Sequence, residues 1–150
     1  MRAKVPPLIW LLLFGAAMWF VAKSPYAFPV RVSYALVLAI AFGLVGAWCG
    51  AAGIRSFNKA STTFHPHKLE EASTLVTTGI YQKTRNPMYL GLLLMLTGWG
   101  VWLGSLANIA LLVLFVVVMT ELQIKPEENV LRKLFGQDYE DYRQRDRRWI

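Results

Sequence analysis

Long uncharged stretches alternate along the chain with short polar ones, and the stretch lengths set the first reading. Between Lys4 and Lys23 lie 18 residues without a charge, and a second uncharged stretch fills the interval from Arg31 to Arg55. From Pro87 to Thr120 there is again no charged side chain. A helix needs roughly 20 apolar residues to cross the hydrocarbon core of a bilayer. The first two stretches therefore predict one span each, over 8–22 and 32–54. The third is too long for one helix and barely long enough for two. Gly104, Ser105 and Asn108 mark a turn within it, which predicts spans over 88–103 and 106–122, short enough to require tilt or local thinning. Val113 to Val118 is rich in β-branched residues, but an unpaired strand is not viable in lipid, so the reading there is helix.

The connecting segments follow from their turn and helix signals. Ser24-Pro25-Tyr26 through Pro29 predicts a short turn. In the second span, Gly46-x-x-x-Gly50 offers a flat face for close helix approach, which we expect to be used within the chain rather than for homodimerisation. The tail 123–150 resumes a soluble pattern. Pro126 suits the first position of a helix, and Glu127 and Glu128 suit its positive end. Leu131, Leu134, Phe135, Tyr139 and Tyr142 recur at three- and four-residue spacing, with Gly136 weakening the centre. This helix is expected to lie on the membrane or cap the bundle. The fold class is thus an all-α integral membrane protein: one domain over 1–150, about four transmembrane helices and a C-terminal amphipathic cytoplasmic helix.

Composition agrees with that class: 55% of the residues are apolar and the mean hydropathy is +0.39. A formal charge of +7 invites a nucleic-acid reading, but the charges sit in the segments between and after the apolar stretches. With four spans, the N-terminus, the 55–86 segment and the tail share one side and hold 14 of the 16 Lys and Arg residues. The positive-inside pattern makes that side cytoplasmic, with both termini there and anionic headgroups nearby; no nucleic-acid partner is expected. A cleaved signal peptide is the alternative for the first stretch, disfavoured by the lack of a small-x-small cleavage site. The single Cys49 excludes an intramolecular disulfide. His65 and His67 flank Pro66 as ordinary loop histidines, and no metal site is expected.

Candidate chemistry concentrates where chain passes from water to lipid. Residues 79–91 read Gly-Ile-Tyr-Gln-Lys-Thr-Arg-Asn-Pro-Met-Tyr-Leu-Gly, and Glu121 with Pro126-Glu127-Glu128 closes the far end of the same uncharged stretch. A helical hairpin over 87–120 would bring the two polar clusters together at the membrane boundary. The plainer reading makes Lys83, Arg85 and Arg145 interfacial anchors, Tyr81 and Tyr89 an aromatic belt, and the glutamates first-turn acids. Trp99 and Trp102 read as packing or belt residues.

The order Gly79-Ile-Tyr-x-x-x-Arg-Asn-Pro-Met-Tyr-x-Gly, then Glu127-Glu128-x-x-Leu131, Phe135-Gly136-x-x-Tyr139-x-x-Tyr142 and a basic end, resembles the isoprenylcysteine carboxyl methyltransferase family. Related membrane enzymes that methylate phospholipid amines share part of the pattern. The resemblance covers about 57–150, and Thr62-Thr63 and Leu75 to Gly79 look like bacterial members. It implies S-adenosylmethionine as cofactor, held between the two polar clusters under the cytoplasmic headgroups, and a lipid-like, possibly prenylated acceptor reaching it from the bilayer. It also implies a bacterial inner-membrane location. Carried over by position, it implies Tyr81, Arg85, Asn86, Pro87, Tyr89 and Glu127 as cofactor-binding residues, with Arg85, Glu128 and Arg145 as catalytic residues. Asn86 stands where the family often has His, so the resemblance carries over no imidazole base there. Asp146-Arg147-Arg148-Trp149 replaces a more apolar family ending.

The residue types suit such chemistry. A sulfonium donor with a zwitterionic amino-acid end calls for aromatic faces and a carboxylate. A carboxylate acceptor is ionised near neutral pH and needs no general base, whereas an amine acceptor must lose a proton, for which the glutamates are candidates. The competing class is a small multi-pass transporter subunit, which usually carries an ionisable group within a span. No Asp, Glu, Lys, Arg or His lies within the four predicted spans apart from Glu121 at the end of the last.

Overall fold

A computed structural model describes residues 5–60 and 74–150. His65, His67, Thr62 and Thr63 lie outside the described residues. The described chain is helical, with one isolated antiparallel bridge between Pro29 and Ser105. Its helices are α1 (Pro7–Lys23), α2 (Ala35–Lys59), α3 (Pro87–Leu103), α4 (Asn108–Met119) and α5 (Lys125–Arg145). A one-turn 3₁₀ helix, Gly79–Gln82, precedes α3.

Three boundaries differ from the sequence-based expectation, each for a physical reason. Helix α2 begins at Ala35 because Tyr34 sits in the left-handed region at φ 60°, and it runs on past Arg55 to Lys59. Loss of hydropathy marks where a membrane ends, and a helix can continue beyond it into water. The second correction concerns the end of α4. The chain does not break near 122 and restart at Pro126. It stays helical through a π-helical turn, Thr120–Ile124, in which the Lys125 N–H bonds to the Thr120 carbonyl five residues back. Pro126 has no N–H to give the Leu122 carbonyl, and a widened turn before it relieves the ring clash that an α-helix would impose. Glu127 and Glu128 therefore do not sit at a free helix end. Third, α5 is two helical pieces joined at Gly136, whose φ 50° and ψ −119° break the helix.

Helices α2 and α3 pack antiparallel and closely. Ala39, Gly46 and Gly53 recur every seven residues on α2, facing Gly98, Gly91 and Pro87 of α3. A methyl group on Gly46 would lie 2.6 Å from the Gly91 carbonyl oxygen, and one on Gly98 would lie 2.8 Å from that of Ala39. The expected close approach is thus made within the chain. Gly46 and Gly53 turn their Cβ positions toward α3, while Gly50 joins the approach through its backbone nitrogen, 3.2 Å from where a Gly91 methyl would lie, with open space at its own Cβ. Helices α1, α3 and α4 share a core of Phe14, Met18, Leu96, Phe115 and Met119, with Phe14 and Phe115 edge to face at 5.2 Å.

One end of the bundle is tied shut. The Val30 N–H donates to the Gly104 carbonyl (2.8 Å) and that of Leu106 to the Phe28 carbonyl (3.2 Å), joining the α1–α2 connection to the α3–α4 turn. Gly104 is required there: its φ is 61°, and a Cβ would lie 2.7 Å from the Val30 oxygen. With α3 and α4 doubled back at this turn, the start of α3 and the end of α4 meet at the opposite end.

Candidate functional site

The polar stretch before α3 and the π turn after α4 together wall a cavity. Its free space is about 800 Å³, mouth included. Tyr81, Arg85, Asn86, Pro87 and Tyr89 line it from one side and Ile124, Glu127 and Glu128 from the other; Phe57, Val76, Leu131, Tyr139 and Tyr142 complete the wall.

Each side chain is held by a nameable contact. Pro87 occupies the first turn of α3, where its missing N–H costs nothing. Two residues on, the Tyr89 hydroxyl donates to Glu127 Oε1 at 2.7 Å, joining the two clusters directly. Tyr81 is set by the 3₁₀ turn: its ring meets Phe57 edge to face at 5.4 Å, and its carbonyl accepts from the Tyr142 hydroxyl at 2.8 Å. Burial raises the Tyr81 and Tyr142 phenols well above their ordinary range. Burial, with the Glu128 charge beside it, pushes Tyr139 up to about 12. All three phenols are therefore neutral donors at physiological pH.

Glu128 is the most heavily engaged carboxylate. Arg148 grips it in a two-pronged fork, Nε to Oε1 at 2.9 Å and Nη2 to Oε2 at 2.8 Å. Nη1 of Arg85 lies 3.1 Å from Oε1, with both side chains nearly sealed from solvent. Burial pushes the Glu128 carboxyl upward, but the Arg148 hydrogen bonds and the Arg85 and Arg148 charges outweigh it, so its pKa ends below the ordinary carboxylate value. Arg85 also donates to the Tyr139 hydroxyl at 3.4 Å, while its Nε is buried without a hydrogen-bond partner.

Residues 147–149 strap across the start of α3. The Arg85 N–H donates to the Arg147 carbonyl (2.9 Å), Asn86 Nδ2 to the Arg148 carbonyl (2.9 Å), and Trp149 Nε1 to Thr120 Oγ1 (3.1 Å). Asn86 thus fixes the strap, which an amide can do at any pH. Arg145 is placed elsewhere: its side chain is 61% exposed, pairs with Asp146 at 2.9 Å and lies over the Tyr142 ring. Glu121 is likewise exposed and pairs with Lys125. Sequence reasoning passed over Arg148, although Trp149 beside it signalled that the tail returns to the apolar boundary. It also passed over Phe57, which needed α2 to continue beyond Arg55.

Five aromatic rings and two carboxylates around one cavity suit a ligand carrying positive charge on an organic body. Among the described residues, no group of three or more His, Cys, Asp and Glu gathers to hold a metal.

Parts of the chain are similar to known proteins. Over 63 residues the chain is 41% identical to an uncharacterised protein of Haemophilus influenzae, covering 42% of this chain and all of that relative. No solved structure matches. The family model described as phospholipid methyltransferase matches residues 34–138, which include α2, α3, α4 and both polar clusters. The chain belongs to the phospholipid methyltransferase family, membrane methyltransferases whose usual methyl donor is S-adenosylmethionine.

Proposed function

We propose that the protein is a single-domain, four-span membrane enzyme that transfers a methyl group from S-adenosylmethionine to a lipid-like acceptor at the cytoplasmic face. Two helices, Ala35–Lys59 and the run Asn108–Arg145, are long and apolar enough to cross a bilayer; Pro7–Lys23 and Pro87–Leu103 are shorter. At 17 residues each, the shorter pair are about 25 Å long, within reach of a tilted or locally thinned membrane. The bundle is tied at one end and carries the cavity with most of the cationic residues at the other. That distribution supports cytoplasmic termini in a bacterial inner membrane.

The single observation that carries the reading is the Tyr89–Glu127 bond, which closes a cavity between the polar clusters at the membrane boundary. S-adenosylmethionine, when bound, supplies an electrophilic methyl group on a sulfonium. Tyr81, Asn86, Pro87 and Tyr89 wall its side of the cavity, and Glu127 offers carboxylate oxygen for an ammonium group. Arg85, with its buried and unpartnered Nε, presents positive charge to an acceptor anion.

Glu128 favours a carboxylate acceptor, as in isoprenylcysteine carboxyl methylation. Held ionised by two arginines, it is a poor proton acceptor, and an ionised carboxylate needs none. The family name favours the second reading, methylation of a phospholipid amine. In that case Glu127, whose Oε1 accepts from the Tyr89 hydroxyl in the cavity wall, is the candidate proton acceptor.

Calorimetric binding of S-adenosylhomocysteine to detergent-purified protein, with Glu127→Ala alongside, tests the donor site. Absence of binding by the wild type removes the enzyme reading; equal binding by the variant removes that residue's role. Labelled donor followed by base treatment of the product separates acceptors, because a methyl ester hydrolyses and a methylated amine does not.

A further inference from the structure

The 79–84 turn has two faces. Tyr81 and Arg85 look into the donor cavity, while Ile80, Lys83 and Thr84 line a second, open groove on the other side. Its free space is about 1230 Å³, mouth included. The facing wall is α2, where Trp48, Ala52, Arg55 and Lys59 succeed one another at i, i+4, i+7 and i+11, the spacing that stacks side chains on one helix face.

The groove is divided along its length. Trp48, Cys49 and Leu90 line it toward the middle of α2, Arg55 and Lys59 toward the end of α2, with Lys83, Trp149 and Ile150 also in its wall; among the described residues no acidic side chain lines it. At 1.5 Å per residue, Trp48 and Arg55 are about 10 Å apart along the axis. The apolar end lies toward the middle of α2, and the cationic end lies where α2 leaves its hydrophobic run. Among the described residues, Arg55, Lys59 and Lys83 have no ion-pair partner.

Three cations with no ion-pair partner among the described residues, at the rim of an apolar channel, fit an anionic amphiphile, head toward water and tail toward the bilayer centre. A free phosphate would use the cations and leave the apolar end unexplained. We infer that this groove seats an anionic membrane phospholipid, its phosphate headgroup against Arg55, Lys59 and Lys83 and an acyl chain along Trp48 and Leu90. The site is separate from the methyl-transfer cavity, with the 79–84 turn as the wall between them. A lipid seated there packs against the back of that wall.

Native mass spectrometry of the detergent-purified full chain, titrated with phosphatidylglycerol or with phosphatidylcholine of the same acyl chains, tests this. The wild type should retain phosphatidylglycerol about tenfold better. Arg55→Gln/Lys59→Gln/Lys83→Gln should lose that preference while binding S-adenosylhomocysteine as before. Arg132→Gln/Lys133→Gln/Arg147→Gln, which removes the same charge elsewhere, should keep it. No preference in the wild type, or a preference that survives the first triple variant, overturns the inference. So does its loss in the second variant, which would mean diffuse attraction. Displacement of phosphatidylglycerol by millimolar inorganic phosphate, at matched ionic strength, would make this a phosphate site and equally overturn it. If the first triple variant proves unfolded, Trp48→Ala, with the cations intact, must weaken phosphatidylglycerol retention and leave inorganic phosphate without effect.

Discussion

Replacing Glu128 by Gln keeps the shape of the side chain and removes its charge. The buried guanidinium of Arg85, 8% exposed, then loses the Glu128 carboxylate as counterion, and Arg148 loses both carboxylate oxygens of its fork. Removing one partner of a buried pair costs about 3–5 kcal/mol, because the remaining charge stays desolvated. Arg148 is 32% exposed and can recruit water, so the lower end applies, about 3 kcal/mol. For a chain of this size that is a fall of roughly 6–12 °C in the unfolding midpoint, measurable by thermal unfolding in detergent. A double variant, Arg85→Met/Glu128→Leu, replaces charge by apolar volume and should recover most of the loss. The pH dependence provides a second reading of the same interaction. The folded pKa of Glu128 lies below its ordinary value of 4.5, so its stabilisation is complete above that value and disappears as pH falls through the folded one. The Gln variant should lack this acid-side loss. A change below about 0.5 kcal/mol in the single variant, with an unchanged acid limb, would refute the reasoning.

Other outcomes follow from single contacts. Tyr89→Phe removes the 2.7 Å bond to Glu127 and should weaken S-adenosylhomocysteine binding by about 1–2 kcal/mol, roughly 5- to 30-fold, in calorimetry. Gly91→Ala would set a methyl 2.5 Å from the Gly46 carbonyl oxygen and should cost about 1–3 kcal/mol of thermal stability, whereas Gly50→Ala, with open space around it, should be neutral or slightly stabilising. Gly136→Ala has room for its methyl but must hold φ 50° and ψ −119°, so it should lose about 1–3 kcal/mol from backbone strain alone, seen in the same unfolding measurement.

Hydropathy made the helices legible because the cost of placing charge in hydrocarbon is read directly from residue type. Uncharged stretches therefore located α1, α3 and the Gly104 turn within a residue or two. The meeting of the polar clusters was legible for the same reason, since a hairpin over 87–120 leaves no other arrangement. What hydropathy cannot report is helical continuity outside lipid, which hid the extension of α2 to Lys59 and with it Phe57. Pro126 does stand in the first turn of α5, with Glu127 and Glu128 beside it, but a proline suits both a fresh helix start and a helix carried on through a π turn, and the local residues do not distinguish these. Arg145 and Arg148 are both cations in a basic tail. Only the tertiary course of residues 147–149, set by carbonyls bonded to Arg85 and Asn86, brings Arg148 onto Glu128 behind the cavity wall.

The widened turn at Thr120–Ile124 has a consequence for how this chain tolerates insertion and deletion. A turn with five residues where an α-helix would use four holds one residue in excess, and each helical residue accounts for about 100° of rotation. Deleting one of these five would turn the wide turn into an ordinary α turn and leave Glu127 and the C-terminal strap facing much as they do now. The regular stretch of α4 holds no such surplus: one residue added or removed there would swing everything downstream by about 100°, turning Glu127 away from Tyr89. The wide turn is thus the place along this helix where a change of length is absorbed.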